Sequence, residues 1–249
     1  MNRIKKFFYL FKVHHWIKNL IIFLPIIASH NITNDSLYKY FIYFLVLSIL
    51  SSTIYLFNNI YDYEEDNKNK NLKYTINLDK KKIYYYIGIL IASLIFIFIY
   101  ILNTSIFLIC LFYFFLSLTY NYYFKKVKYL DIFILALFHI IRIYYGSVAF
   151  KVELSIYFVL FCSAIFLMIG SNKRIIEIDK LFINRPYGKN DRKKIKFLQI
   201  IFSFTAILIF LFYCLDPFKN QYFIYSQILY INLLLIILMM INFLYYQKD

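Results

Sequence analysis

Stretches of about twenty apolar residues, separated by short segments that hold nearly all the lysine and arginine, constrain this chain more than any other feature. A helix of that length crosses the hydrocarbon core of a bilayer. With 62% hydrophobic residues and only four glycines in 249, the chain is unlike an ordinary soluble domain. The pattern predicts an all-α, polytopic transmembrane helical bundle of about eight spans, built as a single integral membrane domain over residues 1–249. The spans fall at roughly 16–31, 38–58, 83–102, 105–124, 130–150, 154–172, 197–215 and 222–246. Pro25 interrupts the first, and Lys18 lies near its start.

The positive charges sort to one side when the connections are assigned alternately to two faces. Of 28 Lys and Arg, one side takes five at the N-terminus (Arg3, Lys5, Lys6, Lys12, Lys18), six in 68–82, three in 125–128, nine in 173–196, and Lys248. The other side keeps Lys39, Lys151 and Lys219, while Arg142 lies inside a span. Such a bias predicts a multi-pass protein of the cell membrane with both termini cytoplasmic. The net charge of +15 then reports topology and affinity for anionic headgroups and phosphates, and nucleic acid is not expected as a partner. Cys110, Cys162 and Cys214 all fall in apolar spans without paired spacing or histidine neighbours, so they read as packing residues. No cleavable signal peptide is visible.

Polar residues concentrate in three inner connections, at about 59–82, 120–131 and 171–196, which places the expected active face and a central cavity toward the cytoplasm. The first opens with Asn58-Asn59-Ile60-Tyr61-Asp62-Tyr63-Glu64-Glu65-Asp66. On a helix, steps of four put Asn58, Asp62 and Asp66 on one face, where Asp62 and Asp66 can hold Mg²⁺ together with substrate phosphate. Lys68, Lys70 and Lys73 follow and can neutralise a diphosphate. The alternative is a solvated loop of mixed charge.

In the second connection, Tyr120, Lys125 and Asp131 precede a span that carries His139, Arg142 and Gly146. Asp131 and Arg142 are three helical turns apart, with Arg142 deep in apolar sequence. An arginine there needs a polar cavity or a partner, which makes it a functional candidate, with a structural ion pair as the alternative. His139 has no second ligand at helical spacing and reads as a polar core residue. The third connection continues the sixth span as Ser171-Asn172-Lys173-Arg174-Ile175-Ile176-Glu177. Lys173 and Glu177 at i, i+4 suit a surface ion pair; alternatively Lys173 and Arg174 clamp phosphate while Glu177 orients one of them or binds metal. The basic cluster beyond Asn184 reads as a topology determinant in contact with lipid headgroups.

Taken in order, these segments resemble the UbiA superfamily of membrane prenyltransferases. Asn58, Asn59, Asp62 and Asp66 are similar to its Asn-Asp-x-x-Asp-x-x-x-Asp motif, with Asn59 in place of an aspartate. Within the superfamily, residues 12 to about 180 most resemble the decaprenyl-phosphate phosphoribosyltransferase branch. Lys12-Val13-His14-His15-Trp16-Ile17-Lys18-Asn19 is similar to its Arg-Pro-x-Gln-Trp-x-Lys-Asn signature. Tyr120 through Lys125 to Asp131, then Arg142 and Gly146, resembles its Tyr-x-x-x-x-Lys, Asp and Arg-x-x-x-Gly pattern. Lys173-Arg174-x-x-Glu177 resembles its Lys-Arg-x-x-Glu motif, which stands where aromatic prenyltransferases have Asp-x-x-x-Asp. The superfamily has nine helices where this sequence shows eight apolar spans, and the His-Pro and Arg-Pro turns expected after Asp66 are missing.

That resemblance implies a Mg²⁺-dependent transfer of a 5-phosphoribosyl group from phosphoribosyl diphosphate to a polyprenyl phosphate, in lipid-linked sugar or cell-envelope glycan synthesis. It also implies residue roles. Asp62 and Asp66 would hold Mg²⁺ and, with Lys173 and Glu177, form the catalytic set; Lys18, Asn19, Asn58, Asn59, Lys73, Tyr120, Lys125, Asp131, Arg142 and Arg174 would bind substrate. The partners would be the membrane, the polyprenyl phosphate and the phosphoribosyl diphosphate, and a homo-oligomer is compatible with the sequence. A prenyltransferase moving a polyprenyl group from its diphosphate to an aromatic or other acceptor is the rival reading. A transporter or non-catalytic lipid-binding membrane protein is the third, though transporters place polar residues at the midplane in broken helices, and here only Arg142 lies well inside a span.

Overall fold

A computed structural model describes residues 11–29, 37–61, 84, 86–91, 93, 94, 103–179 and 186–215. Every regular element among them is helical. A 3₁₀ segment, Val13–Phe23, continues as a short helix α1 (Leu24–Ser29). Four long helices belong to the expected spans: α2 (Leu37–Tyr61), α3 (Thr104–Tyr122), α4 (Leu130–Phe150) and α5 (Ile156–Asp179). A fifth is α6 (Asp191–Leu215). All five are long and apolar enough to cross a membrane. Helical residues at 84, 86–91, 93 and 94 fall in the expected third span, and the expected eighth span lies outside the described residues.

Two boundaries differ from the hydropathy reading. The sixth and seventh expected spans extend to Asp179 and back to Asp191, because helical hydrogen bonding runs past the apolar stretch into charged sequence. The first span is mostly 3₁₀. Its 11 residues, plus 6 in α1, rise about 31 Å, close to a hydrocarbon thickness despite the short sequence.

Local chemistry sets several ends. Asn103 Oδ1 accepts from Ile106 N–H (3.1 Å) and caps α3; Ser155 Oγ accepts from Phe158 N–H (3.1 Å) and caps α5. Lys151, in the left-handed region (φ 56°), closes α4. Asp191 Oδ2 accepts from Gly188 N–H (2.9 Å) at the start of α6, where a carboxylate suits the helix dipole.

The described residues group into two compact units that divide between Leu154 and Ser155. In the first, contacts fix the helix directions. Trp16 meets Ser52, Asn19 meets Ser48 and Phe23 stacks on Phe44, so the 3₁₀ segment runs antiparallel to α2. Tyr145 OH donates to Tyr43 O (2.9 Å) while Tyr40 packs on Phe150, so α2 and α4 are antiparallel. Tyr113 reaches Arg142 while Tyr120 reaches Phe138, which makes α3 antiparallel to α4. The start of the 3₁₀ segment, the ends of α2 and α3 and the start of α4 therefore share one end of this unit. Its core is Ile22, Val46, Leu47, Leu50, Ile106, Ile141 and Tyr145, whereas Phe107, Leu108, Phe112 and Phe115 of α3 face outward, as suits lipid.

In the second unit, Tyr157 lies on Tyr213, Phe161 on Phe210, and Asp179 pairs with Arg192, so α5 and α6 form an antiparallel hairpin. Ala164, Met168 and Ala206 fill its centre.

Close approach of the first element to α4 depends on Gly146. A Cβ there would lie 2.8 Å from the carbonyl carbon of Ile22 and nearer still to its oxygen, both fixed backbone atoms. Gly146→Ala is expected to cost about 1–3 kcal/mol or more through forced separation of these backbones. Gly88, with nothing within 4 Å of an added Cβ, is the control. Melting temperatures in detergent should fall for Gly146→Ala and stay level or rise slightly for Gly88→Ala.

Candidate anion-binding site

Membrane helices spend polar side chains sparingly, so the polar column in the first unit marks the site. At its polar end, Asn121 Nδ2 donates to Asn58 Oδ1 and to the Ser117 carbonyl (2.9 Å), joining the last turns of α2 and α3. Deeper in, Arg142 is 7% exposed and donates through Nη2 to Tyr113 OH (2.6 Å). Its guanidinium carbon lies 5.4 Å from the Tyr113 ring centroid. Nη1 lies 3.1 Å from His139 Nδ1. Because arginine has only donors, His139 must accept there, which requires a neutral ring with its proton on Nε2.

Arg142 makes no ion pair among the described residues, and its buried Nε has no hydrogen-bond partner among them. The alternative of a structural ion pair is not seen among the described residues. Asp131 is also fully buried but lies about 16 Å along the same helix, too far to neutralise Arg142. The positive charges of Arg142 and Lys12 both act on Lys18, and Lys12 Nζ stands 4.9 Å from the Tyr55 ring centroid. A buried guanidinium with no counter-ion among the described residues is stabilised by an incoming anion. This arrangement is suited to hold a phosphate or diphosphate.

The structure distributes the remaining expected residues as follows. Asn19 is buried, with Nδ2 donating to Ser48 Oγ (3.1 Å) and Ser51 Oγ (3.3 Å), so its amide binds the 3₁₀ segment to α2. Trp16 Nε1 extends that seam to Ser52 Oγ (2.9 Å), whose hydroxyl donates to Phe11 O (3.0 Å). Lys18 is exposed. Tyr120 packs edge-on against Phe138, and Lys125 is buried in the tight Phe124–Lys126 turn between α3 and α4. Asn59 lies within α2, but its side chain is outside the described residues, as are Asp62, Asp66 and Lys73. Cys110 and Cys162 are buried as free thiols, and the side chain of Cys214 is likewise not described.

In the second unit, Lys173 is exposed while Arg174 is fully buried. Glu177 pairs with Arg174 at i, i+3. Arg192 grips Asp179 through two hydrogen bonds (2.7 and 3.1 Å), so one member of the basic cluster beyond Asn184 ties the hairpin together.

Sequence reading missed Tyr113, Tyr55, Asn121 and the serine seam. Ser48, Ser51 and Ser52 stand at i, i+3, i+4 inside an apolar span, a signal present in the sequence. Tyr113 had none, being one of 27 tyrosines. Among the described residues no group of three His, Cys, Asp or Glu side chains can hold a metal.

The model of the UbiA prenyltransferase family matches residues 19–249. No curated protein sequence matches the chain. Among solved structures, one described as digeranylgeranylglyceryl phosphate synthase in membranes superposes with a TM-score of 0.66 at 18% identity, covering 98% of this chain and 88% of that one. At that identity the likeness is one of fold.

An anion site of this form has a direct test in inorganic diphosphate, titrated while the melting temperature of the detergent-solubilised chain is followed. Arg142→Ala should weaken the stabilisation about tenfold or more. Tyr113→Phe, which keeps the ring and removes the hydroxyl, should weaken it about two- to tenfold. Unchanged titrations in both would remove Arg142 from the site.

Proposed function

Because the chain belongs to the UbiA prenyltransferase family and is a multi-pass membrane transferase, we propose that the group it transfers is 5-phosphoribosyl, carried from phosphoribosyl diphosphate to a polyprenyl phosphate. The observation that carries this reading is the C-terminal turn of α5. Where the resemblance puts two carboxylates in the aromatic branch, this helix has Lys173 and a buried Arg174 paired to Glu177. One carboxylate beside two cations is suited to a polyanionic sugar phosphate. It is a poor second ligand set for Mg²⁺.

In the proposed reaction an oxygen of the lipid phosphate forms a bond to the anomeric carbon as the bond from that carbon to the diphosphate breaks. The nucleophile is already an anion, so no base is needed to take a proton. What the protein must supply is charge stabilisation on the departing diphosphate and a medium for the lipid. Arg142, Lys18 and Lys125 are assigned to the phosphates, with Lys12 adding to the field and Arg142 aimed by Tyr113 and His139. The apolar helices solvate an acceptor tail that water cannot.

Mg²⁺, when bound, would neutralise charge on the diphosphate, and the motif assigns it to Asp62 and Asp66. α2 is helical to Tyr61, immediately before Asp62, which supports a site at the end of this helix. Asn58 and Asn59 are assigned to substrate oxygens, as are Lys73, Tyr120 and Asp131. The charge bias supports a cytoplasmic active face with both termini on that side. A lipid-linked pentose for glycan synthesis is the corresponding product.

A second reading, transfer of a prenyl group from its diphosphate, is favoured by the family and by the fold shared with the digeranylgeranylglyceryl phosphate synthase structure. Purified protein supplied with Mg²⁺, labelled phosphoribosyl diphosphate and polyprenyl phosphate should yield a lipid-soluble ribose phosphate. Prenylated product from polyprenyl diphosphate and an aromatic or glyceryl phosphate acceptor, without lipid-linked ribose, would overturn the phosphoribosyl assignment in favour of the second. Asp62→Ala and Asp66→Ala should each abolish Mg²⁺-dependent turnover while leaving the melting temperature near that of the unaltered chain. Retained turnover in both would remove the metal assignment.

A further inference from the structure

The bond between Asn121 and Asn58 has a definite polarity. Asn121 lies one turn beyond Ser117 on α3, and its amide meets the Ser117 carbonyl at 2.9 Å. A carbonyl only accepts, so the Asn121 atom facing it is the nitrogen. That nitrogen has one further hydrogen, and the atom that meets it on Asn58 must accept, so it is Oδ1. Both N–H donors of Asn58 are left outside this bond and have no partner among the described residues. Asn121 itself is 9% exposed, so water competes little for the pair.

We propose that Asn121 is a positioning residue that holds the Asn58 amide with its N–H donors toward the substrate, so that Asn58 binds an oxygen of a diphosphate group and does not serve as a metal ligand. The inference rests on the transferase reading and deepens it. An asparagine ligates a hard cation only through its carbonyl oxygen, and Asn121 engages one lone pair of that oxygen and holds it toward α3, which makes it a poorer ligand. What Asn58 then offers is a two-hydrogen donor, suited to phosphate oxygens. The carboxylates Asp62 and Asp66 keep the metal assignment, and the two kinds of side chain along this motif divide the work by charge. Asn121 is in reach because α2 and α3 end on the same side of the unit, and its rotamer is set by its own helix.

The discriminating substitution is Asn58→Asp. It still accepts from Asn121 and keeps the volume, but it presents a carboxylate where the donor stood. Binding of inorganic diphosphate to the full chain in detergent, read as a shift in melting temperature, should weaken about tenfold or more both in EDTA and at saturating Mg²⁺. A metal-ligating Asn58 gives the opposite result: binding is kept or tightened at Mg²⁺ concentrations that the original chain leaves unsaturated, and that outcome overturns the proposal.

The role of Asn121 is read by a double-mutant cycle in the same titration. Asn121→Ala should weaken diphosphate binding about two- to tenfold in the original chain and have no further effect in an Asn58→Ala background. Asn121→Asp, which packs alike but cannot donate, should behave the same way and covers the case in which the alanine variant unfolds. Additive losses, or a lowered melting temperature with unchanged diphosphate binding, reduce Asn121 to a structural contact and overturn the assignment while leaving the transferase reading intact. An original chain that diphosphate does not stabilise at all overturns both.

Discussion

Two helices and a 3₁₀ segment can approach closely in a membrane only where side-chain volume has been removed, and in the first unit that condition is met by three serines and one glycine. Ser48, Ser51 and Ser52 clear one face of α2, and Gly146 clears one turn of α4. Hydrocarbon supplies no hydrophobic drive between helices, so packing and hydrogen bonds at such faces carry the association. Trp16 and Asn19 then fit between the helices, and each polar atom they bury meets a hydroxyl. The first element is held in a definite register, and its Lys18 is brought within electrostatic range of Lys12 and of Arg142.

Arg142 is the costliest group in this arrangement. A guanidinium in an apolar helix needs partners, and those among the described residues are a phenol, a neutral imidazole and an aromatic face. None of them carries a negative charge. They orient the guanidinium without neutralising it, which is the state in which a cation can bind an incoming phosphate. A carboxylate in the same place would have given a more stable bundle and a weaker anion site. The second unit solves a similar problem differently: Arg174, more deeply buried, is paired with Glu177 on its own helix.

Much of the fold was legible because the bilayer imposes a simple rule on sequence. The apolar windows at 38–58 and 130–150 coincide with the membrane-crossing parts of α2 and α4, and Arg142 with Gly146 one turn later stood out as a charge and a small residue in hydrocarbon. Where the rule is silent the reading was less complete. Hydropathy sees apolarity, so it stopped α5 at residue 172 while the helix runs to Asp179, and it could not show that the first span is a 3₁₀ segment. Lys173 and Arg174 are neighbours in sequence, but only the helix phase decides that the second is buried and takes Glu177. Tyr113 and Asn121 were hidden by composition, in a chain where tyrosine and asparagine are everywhere.

Sequence alone therefore determined that this chain crosses a membrane, where most of its helices lie, which connections carry its charges and which family it resembles, because each of these follows from the transfer free energy of local segments or from short motifs. Tertiary structure alone decided which polar atoms meet. Which hydroxyls Asn19 meets, which groups surround Arg142, and which end of the Asn58 amide meets Asn121 are questions of helix register and rotation. Register and rotation are set by packing between segments as much as a hundred residues apart, as in the bond from Tyr145 to Tyr43, and no local property of either segment encodes them.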